Sequence, residues 1–150
     1  MNLPENFELQ AQDEAEAEAE AACARLCVDF ANHIDARRYD AWLDLFTEDG
    51  VLDRMGTKVV GRHELKKFLE ARSATVETRH LCTNIRVDVI STNEATGFCY
   101  ALFFQGVPDG PGQSATASGS PAVVEYHDRY RRTPQGWRIQ ERRIRMAIKP

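Results

Sequence analysis

ETRHLCTNIRVDVI, residues 77–90, decides how the rest of the chain is read. Ile85, Val87 and Val89 alternate with Arg86 and Asp88, the two-residue period of a strand with one buried and one wetted face. Counting back by twos from Ile85 reaches Thr83 and Leu81, which leaves His80 on the wetter parity with Asn84. Two readings follow. Either His80 is a surface or core-satisfied histidine, or a β-bulge between His80 and Ile85 reverses the phase and turns the imidazole inward. A bulge also bends its strand, which a curled sheet requires.

Three more segments carry long strand patterns. The four strands cover 76–91, 94–105, 122–132 and 136–147. The first two join at Thr92-Asn93 and the last two at Thr133-Pro134-Gln135-Gly136. Between the second and third lies PDGPGQSATASGSP, residues 108–121, whose Gly, Ser and Pro cannot pack a core. It is expected to be mobile, as a plain connector or as a lid.

Upstream the period is helical. Residues 1–12 read as a flexible N-terminal arm, and 13–150 as one domain. Asp13 caps a helix running to Ala36, in which Cys23, Leu26, Cys27, Phe30, Ala31 and Ile34 form one apolar stripe. DAWLDLF, residues 40–46, reads as a short second helix burying Trp42, Leu43 and Phe46. VLDRM and KVV read as two short strands across a turn at Gly56-Thr57. GRHELKKFLEARS follows as a third helix with Leu65, Phe68 and Leu69 inward. Helices, a small hairpin, a helix and then a four-strand meander describe an α+β fold, with the helices on one face of a curved antiparallel sheet. The concave side of such a sheet is where a small apolar ligand binds.

Composition narrows the function. The 150 residues carry a net charge of −4, which gives nucleic acid no attraction. The acidic EAEAEAE run at 14–20 balances a basic C-terminal end (Arg129, Arg131, Arg132, Arg138, Arg142, Arg143 and Arg145). No apolar run is long enough for a membrane span, and no apolar leader is visible, so the expected compartment is the cytoplasm. Cys23, Cys27, Cys82 and Cys99 form no Cys-x-x-Cys pair and lie at zinc spacing from no histidine, so they read as buried reduced thiols and no metal is expected. With no Gly-rich phosphate loop, nucleophile elbow or metal cluster, the expected chemistry needs no cofactor.

Four stretches share a family pattern: HIDARRYDAWLDLFTEDG (33–50), the Gly61-Arg62 helix start, TRHLCTN (78–84) and YHDRYRRTPQGWRIQERRI (126–144). Together, over residues 15–147, they resemble the SnoaL-like branch of the nuclear transport factor 2-like superfamily. The resemblance implies a cone-shaped curved antiparallel or mixed sheet wrapped around N-terminal helices. It leaves the reaction open, because scytalone dehydratase, bile-acid 7α-dehydratase, ketosteroid isomerase, polyketide cyclases and non-catalytic dioxygenase β subunits share that scaffold. In the dehydratase-like members, an Asp near the end of the first helix orients a His on the first long strand. The matching positions here are Asp35 and His80. Where the bile-acid dehydratase carries a Tyr this chain has Phe30, and GFCYALFF (97–104) lacks that enzyme's carboxylate.

Read residue by residue, Asp35 shares the Cys27–Ala31 edge of the apolar stripe and needs a partner if it is half inside; otherwise it faces water or Arg38. An inward His80 would have one ring nitrogen held protonated by Asp35 and the other free to take a substrate proton. On AVVEYHDRYRR, Val124, Tyr126, Asp128 and Tyr130 share the inner face. Tyr126 is a candidate donor to a substrate oxygen, and Asp128 needs a partner such as Arg143. His127 is expected to point outward, His63 to lie on a helix surface, and His33 to flank the pocket or face solvent. Alternation leaves open which face of GFCYALFF lines the cavity. Phe30, Trp42, Met55, Tyr100 and Leu102 are the candidate walls, each equally readable as plain core. The expected function is acid–base dehydration, isomerisation or cyclisation of a hydrophobic ring-bearing molecule, with Asp35, His80 and Tyr126 catalytic. The alternative is a non-catalytic ligand-binding or oxygenase-supporting subunit. A homodimer or homotrimer through the outer sheet face is expected, with no nucleic-acid or membrane partner.

Overall fold

The computed structural model describes residues 5–150, with side chains from residue 7 onward. Helix α1 spans Glu5–Asp35 and so starts well before Asp13. Residues 5–12 of the expected arm are therefore helical, and residues 1–4 lie outside the described residues. The physical reason is local. No Gly or Pro interrupts residues 5–35, and once the inner turns are packed each added Glu, Ala, Leu or Gln extends the helix easily. Arg37, at φ 57°, takes the left-handed conformation that ends many helices. Its guanidinium donates to the carbonyls of Ser73 at 2.6 Å and Val76 at 2.8 Å, tying the chain before the first long strand to the tail of α1.

The remaining elements are α2 (Tyr39–Leu43), α3 (Gly61–Glu70), β1 (Phe46–Arg54), β2 (Thr57–Val60), β3 (Glu77–Ser91), β4 (Glu94–Pro108), β5 (Ala115–Ala117), β6 (Ala122–Thr133) and β7 (Gly136–Ile148). The sheet order is β2-β1-β7-β6-β4-β3, with β5 attached to β4. Every pairing is antiparallel except β1 with β7. This is the expected α+β architecture, N-terminal helices against a curved, unclosed mixed sheet. The segment 108–121 is less loose than expected. Ala115–Ala117 pairs with Gly106–Pro108, and Thr116 donates to the Asp109 carboxylate at 2.9 Å. Gly106 makes that pairing possible, because a Cβ there would stand 2.2 Å from the Thr116 carbonyl oxygen.

The bulge in β3 is present. Thr83 pairs with Tyr100 and Arg86 with Phe98, so Asn84 and Ile85 together oppose Cys99. Asn84 adopts φ 54°, a conformation that asparagine tolerates better than most residues. Before the bulge Thr78, His80 and Cys82 point inward while Leu81 is 52% exposed; after it Ile85, Val87 and Val89 take the inner face. A second bulge lies in β7. Arg129 pairs with Glu141 but Tyr130 pairs with Ile139, leaving Gln140 extra. As a result Ile139 and Arg142 both face inward.

The inner face is then a stack of cross-strand rungs. From one end they run His80–Phe103–Ala122, Cys82–Ala101–Val124–Met146, Cys99–Tyr126–Ile144, Val87–Gly97–Asp128–Arg142 and Val89–Ala95–Tyr130–Ile139. α1 lies across them with Cys23, Cys27, Phe30, Ala31 and Ile34 buried. Phe30 meets Trp42 at 5.0 Å and Tyr126 at 5.8 Å between ring centroids, and Trp42 meets Phe46 at 4.8 Å. Gly97 is what lets the Tyr130 ring lie flat on β4, since a Cβ there would come within 2.7 Å of Tyr130 Cε2. Gly97→Ala is expected to destabilise the protein by about 1–3 kcal/mol through overpacking, read as a lower urea midpoint at unchanged m-value.

Candidate active site

The last residue of α1 and the first inward residues of β3 meet at the open end of this stack. His80 Nδ1 lies 2.6 Å from Asp35 Oδ1. The backbone N–H of His80 donates to Asp35 Oδ2 at 2.8 Å, and the Thr78 hydroxyl donates to Oδ1 at 2.9 Å. Arg72 Nη2 in turn donates to Thr78 Oγ1 at 3.3 Å. The side chains of His80 and Asp35 are 11% and 12% exposed. Burial pushes the Asp35 carboxyl up, but the His80 ring hydrogen bond and charge, the His80 N–H and the Thr78 hydroxyl outweigh it and hold the group below its ordinary value.

A carboxylate in this position fixes the imidazole tautomer. Asp35 only accepts, so Nδ1 carries a proton, and in the neutral imidazole Nε2 is the nitrogen with the lone pair. Nε2 has no hydrogen-bond partner among the described residues. The ring packs on Phe103, centroids 4.9 Å apart. A cleft of about 780 Å³ is lined among others by Thr78, Arg79, Phe104, Gly106, Pro111 and Ala117, and neither Asp35 nor His80 lines it. Thr78 is the one residue common to that lining and to the hydrogen bonds on Asp35. Thr78 and Arg72 are site residues that the sequence reading did not select. Thr78 was findable, because once His80 is inward, the residue two before it must be inward as well.

Farther in, Arg142 forms a bidentate pair with Asp128, Nε to Oδ1 at 2.8 Å and Nη2 to Oδ2 at 2.7 Å. Tyr130 donates to the same carboxylate at 2.7 Å. The Arg142 guanidinium carbon sits 4.2 Å from the ring centroids of both Phe30 and Tyr126. Asp128 is thus inward and paired as required, but with Arg142; Arg143 lies opposite His127 on the outer face. Other candidates separate in the same way. Phe30, Trp42 and Tyr126 are buried in the aromatic cluster. Met55 is 55% exposed, in the tight turn with Gly56, and so lies on the surface and not in the interior. Tyr100 and Leu102 point to the outer face with Phe98 and Phe104, since Cys99, Ala101 and Phe103 are the inner residues of β4. Tyr126 lies two rungs below His80, about 13 Å along the strand. His127 faces outward, 3.1 Å from Glu125, and His63 is exposed on α3. His33 accepts from Arg38 Nε at 3.1 Å outside the dyad.

A family model for the SnoaL-like domain matches residues 15–143. The chain belongs to the SnoaL-like family. Solved structures agree with that assignment. A variant of a Mycobacterium tuberculosis protein of unknown function is 27% identical, with a TM-score of 0.69, over 84% of this chain and 74% of that one. A candidate aromatic ring hydroxylase from Novosphingobium aromaticivorans is 25% identical, with a TM-score of 0.73, over 89% and 92%. A candidate scytalone dehydratase from the same organism is 23% identical, with a TM-score of 0.70, over 85% and 83%, a likeness that carries the fold alone. No curated protein matches the chain. Among the described residues of this SnoaL-like chain, no helix is long and apolar enough to cross a membrane. The one group of candidate metal donors among those residues is Cys27, Cys82 and Cys99, all sulfur, and it includes neither Asp35 nor His80.

Proposed function

We propose that this chain is a small cofactor-independent enzyme that eliminates water from a hydrophobic, ring-bearing β-hydroxy carbonyl compound. The observation that carries the reading is the 2.6 Å contact of His80 Nδ1 with a carboxylate that has no other cation on it, while Nε2 stays unpartnered. In the reaction, Nε2 takes the proton from the carbon next to the substrate carbonyl. The electron pair of that C–H bond forms the new double bond, and the C–O bond to the hydroxyl breaks. The imidazolium, stabilised by Asp35, returns its proton to the departing oxygen, so water leaves and the neutral imidazole is restored. Isomerisation or cyclisation uses the same first step. Tyr126 lies too deep to touch an oxygen held at His80, and in this mechanism it supports the packed floor beneath the site.

The test is exchange in D2O, in the presence of a chelator, across a panel of hydroxylated fused-ring ketones followed by NMR. Deuterium is expected at the carbon next to the carbonyl in the wild type and absent with His80→Ala of native fold. Exchange that persists unchanged without His80 overturns the reading. One observation favours a second reading, a binding-only or oxygenase-supporting subunit: Phe30, Trp42, Phe46 and Tyr126 pack against each other across the interior. Tight binding of ring compounds without exchange, or co-purification with a larger iron–sulfur chain, would select it.

The reading includes a homodimer or homotrimer. Leu81, Tyr100 and Phe104 are 52%, 39% and 36% exposed on the outer face of β3 and β4, and a contiguous apolar sheet face of this kind is usually covered. Tyr100→Glu is expected to convert the oligomer to monomer in sedimentation velocity, with the circular dichroism spectrum unchanged. It also takes the chain to work in the cytoplasm, where Cys27 and Cys99, with sulfurs 3.3 Å apart, remain reduced.

A further inference from the structure

Three of the four cysteines converge although they are far apart in sequence. Cys27 comes from α1, Cys82 from β3 and Cys99 from β4, and their sulfur atoms all lie within 4.8 Å of one another. The strand partner of Cys82 is Ala101, Ala31 lies one turn along α1 from Cys27, and Tyr126 is the strand partner of Cys99. Cys27 and Cys99 are buried, and Cys82 is partly exposed, which marks the side from which a solute arrives. A second observation points at the same place. Arg142 Nη1 is buried and has no partner, although the other two nitrogens of that guanidinium grip Asp128. The guanidinium stacks on Phe30, three residues along α1 from Cys27, and on Tyr126, the strand partner of Cys99. An anionic sulfur is the acceptor that the spare N–H lacks.

We propose that Cys27, Cys82 and Cys99 form a trithiolate site for a soft trivalent ion of the arsenite class. Soft ions select thiolates. With sulfur bonds of about 2.3 Å, a pyramidal three-coordinate ion carrying a lone pair holds its sulfurs about 3.5 Å apart, close to the 3.3 Å between the Cys27 and Cys99 sulfurs. Charge decides the oxidation state. Arg142 and Asp128 already cancel, so an uncharged complex suits the dry surroundings, and three thiolates balance one trivalent ion. A divalent tetrahedral ion would leave a negative charge and an empty position, and among the described residues no fourth His, Cys, Asp or Glu joins the group. Binding balances simply. Each thiol proton joins one hydroxide of arsenous acid, three As–O bonds are exchanged for three As–S bonds, and three waters leave with no change of oxidation state.

The experiment uses the full chain, reduced and anaerobic, with sodium arsenite, and with zinc chloride as the competing probe. Native mass spectrometry is expected to show one arsenic added and three hydrogens lost, and X-ray absorption to show three sulfur neighbours. Arsenite is also expected to raise Tm by linkage. Cys23, buried one turn from Cys27 and outside the group, is the internal control, and Cys23→Ser should bind like wild type. Cys82→Ala is expected to weaken binding by more than the roughly 10–100-fold typical of losing an outer-sphere partner, and to abolish the Tm rise. If Cys82→Ala fails to fold, the sulfur count in the wild type still decides. Two sulfur neighbours, no uptake, or preference for zinc would each overturn the proposal.

Discussion

Arg142→Met is expected to destabilise the fold by about 3–5 kcal/mol, seen as a lower urea midpoint and a fall in Tm of roughly 6–20 °C. The magnitude follows from what stays behind. Asp128 is 2% exposed and takes both its main hydrogen bonds from Arg142. Without the guanidinium, its carboxylate keeps only the Tyr130 hydroxyl at 2.7 Å. Burial and the Asp128 charge hold the Tyr130 hydroxyl well above its ordinary value, so it stays a neutral donor and brings no positive charge to the carboxylate. Methionine preserves most of the volume between Phe30 and Tyr126 and makes sulfur–aromatic contacts of its own, so little of the loss is cavity. The test of this cause is the double variant Asp128→Leu with Arg142→Met. Removing both charges should recover most of the stability, because a buried pair and a well-packed apolar pair are of similar worth. A double variant as unstable as the single would assign the cost to shape instead.

The two bulges explain both the success and the failure of reading this chain by alternation. For β3 the strand was legible, and so was its ambiguity: His80 sits on the wrong parity unless an extra residue intervenes, and Asn84 is a residue type that accepts φ 54°. For β7 nothing in QERRI marks Gln140 as extra, so straight alternation from Ile139 selects Arg143 when the inward residue is Arg142. β4 was undecidable for another reason. Phe98, Tyr100, Leu102 and Phe104 are as apolar as Ala95, Cys99, Ala101 and Phe103, so pattern alone cannot tell a buried face from an apolar outer one. Met55 misled because a turn with two positive φ residues, 52° and 94°, normally carries Asn, Asp or Gly. The order of elements was readable because it rests on the change of period from helix to strand. The Cys27–Cys82–Cys99 convergence was not, because it depends on the register of three elements at once.

Asp35→Asn and His80→Ala are each expected to lower kcat/KM by about 10²–10⁴-fold toward whichever ring substrate the exchange screen identifies, for different reasons. Alanine at 80 removes the base, and added imidazole should restore part of the rate by diffusing into the space left. Asparagine at 35 leaves the ring in place but misdirects it. Oδ1 of the native carboxylate accepts from the His80 ring and Thr78, and Oδ2 from the His80 N–H. One end of an amide must be a donor. Turned one way, its NH2 faces the backbone N–H of His80; turned the other, it faces Nδ1 and drives the ring proton to Nε2, where no lone pair remains for substrate. Imidazole should therefore fail to rescue Asp35→Asn. The same carboxylate leaves a mark on stability. Because its folded pKa lies below the unfolded value of about 3.9, its contribution is present above that pH and is lost as pH falls through the folded value. Urea midpoints of wild type and Asp35→Asn should differ at neutral pH and converge in acid. A gap that stays constant down to the lowest pH at which the protein is folded would show that the charge of Asp35 does not hold His80. Equal imidazole rescue of both variants would show that the tautomer is set by something else.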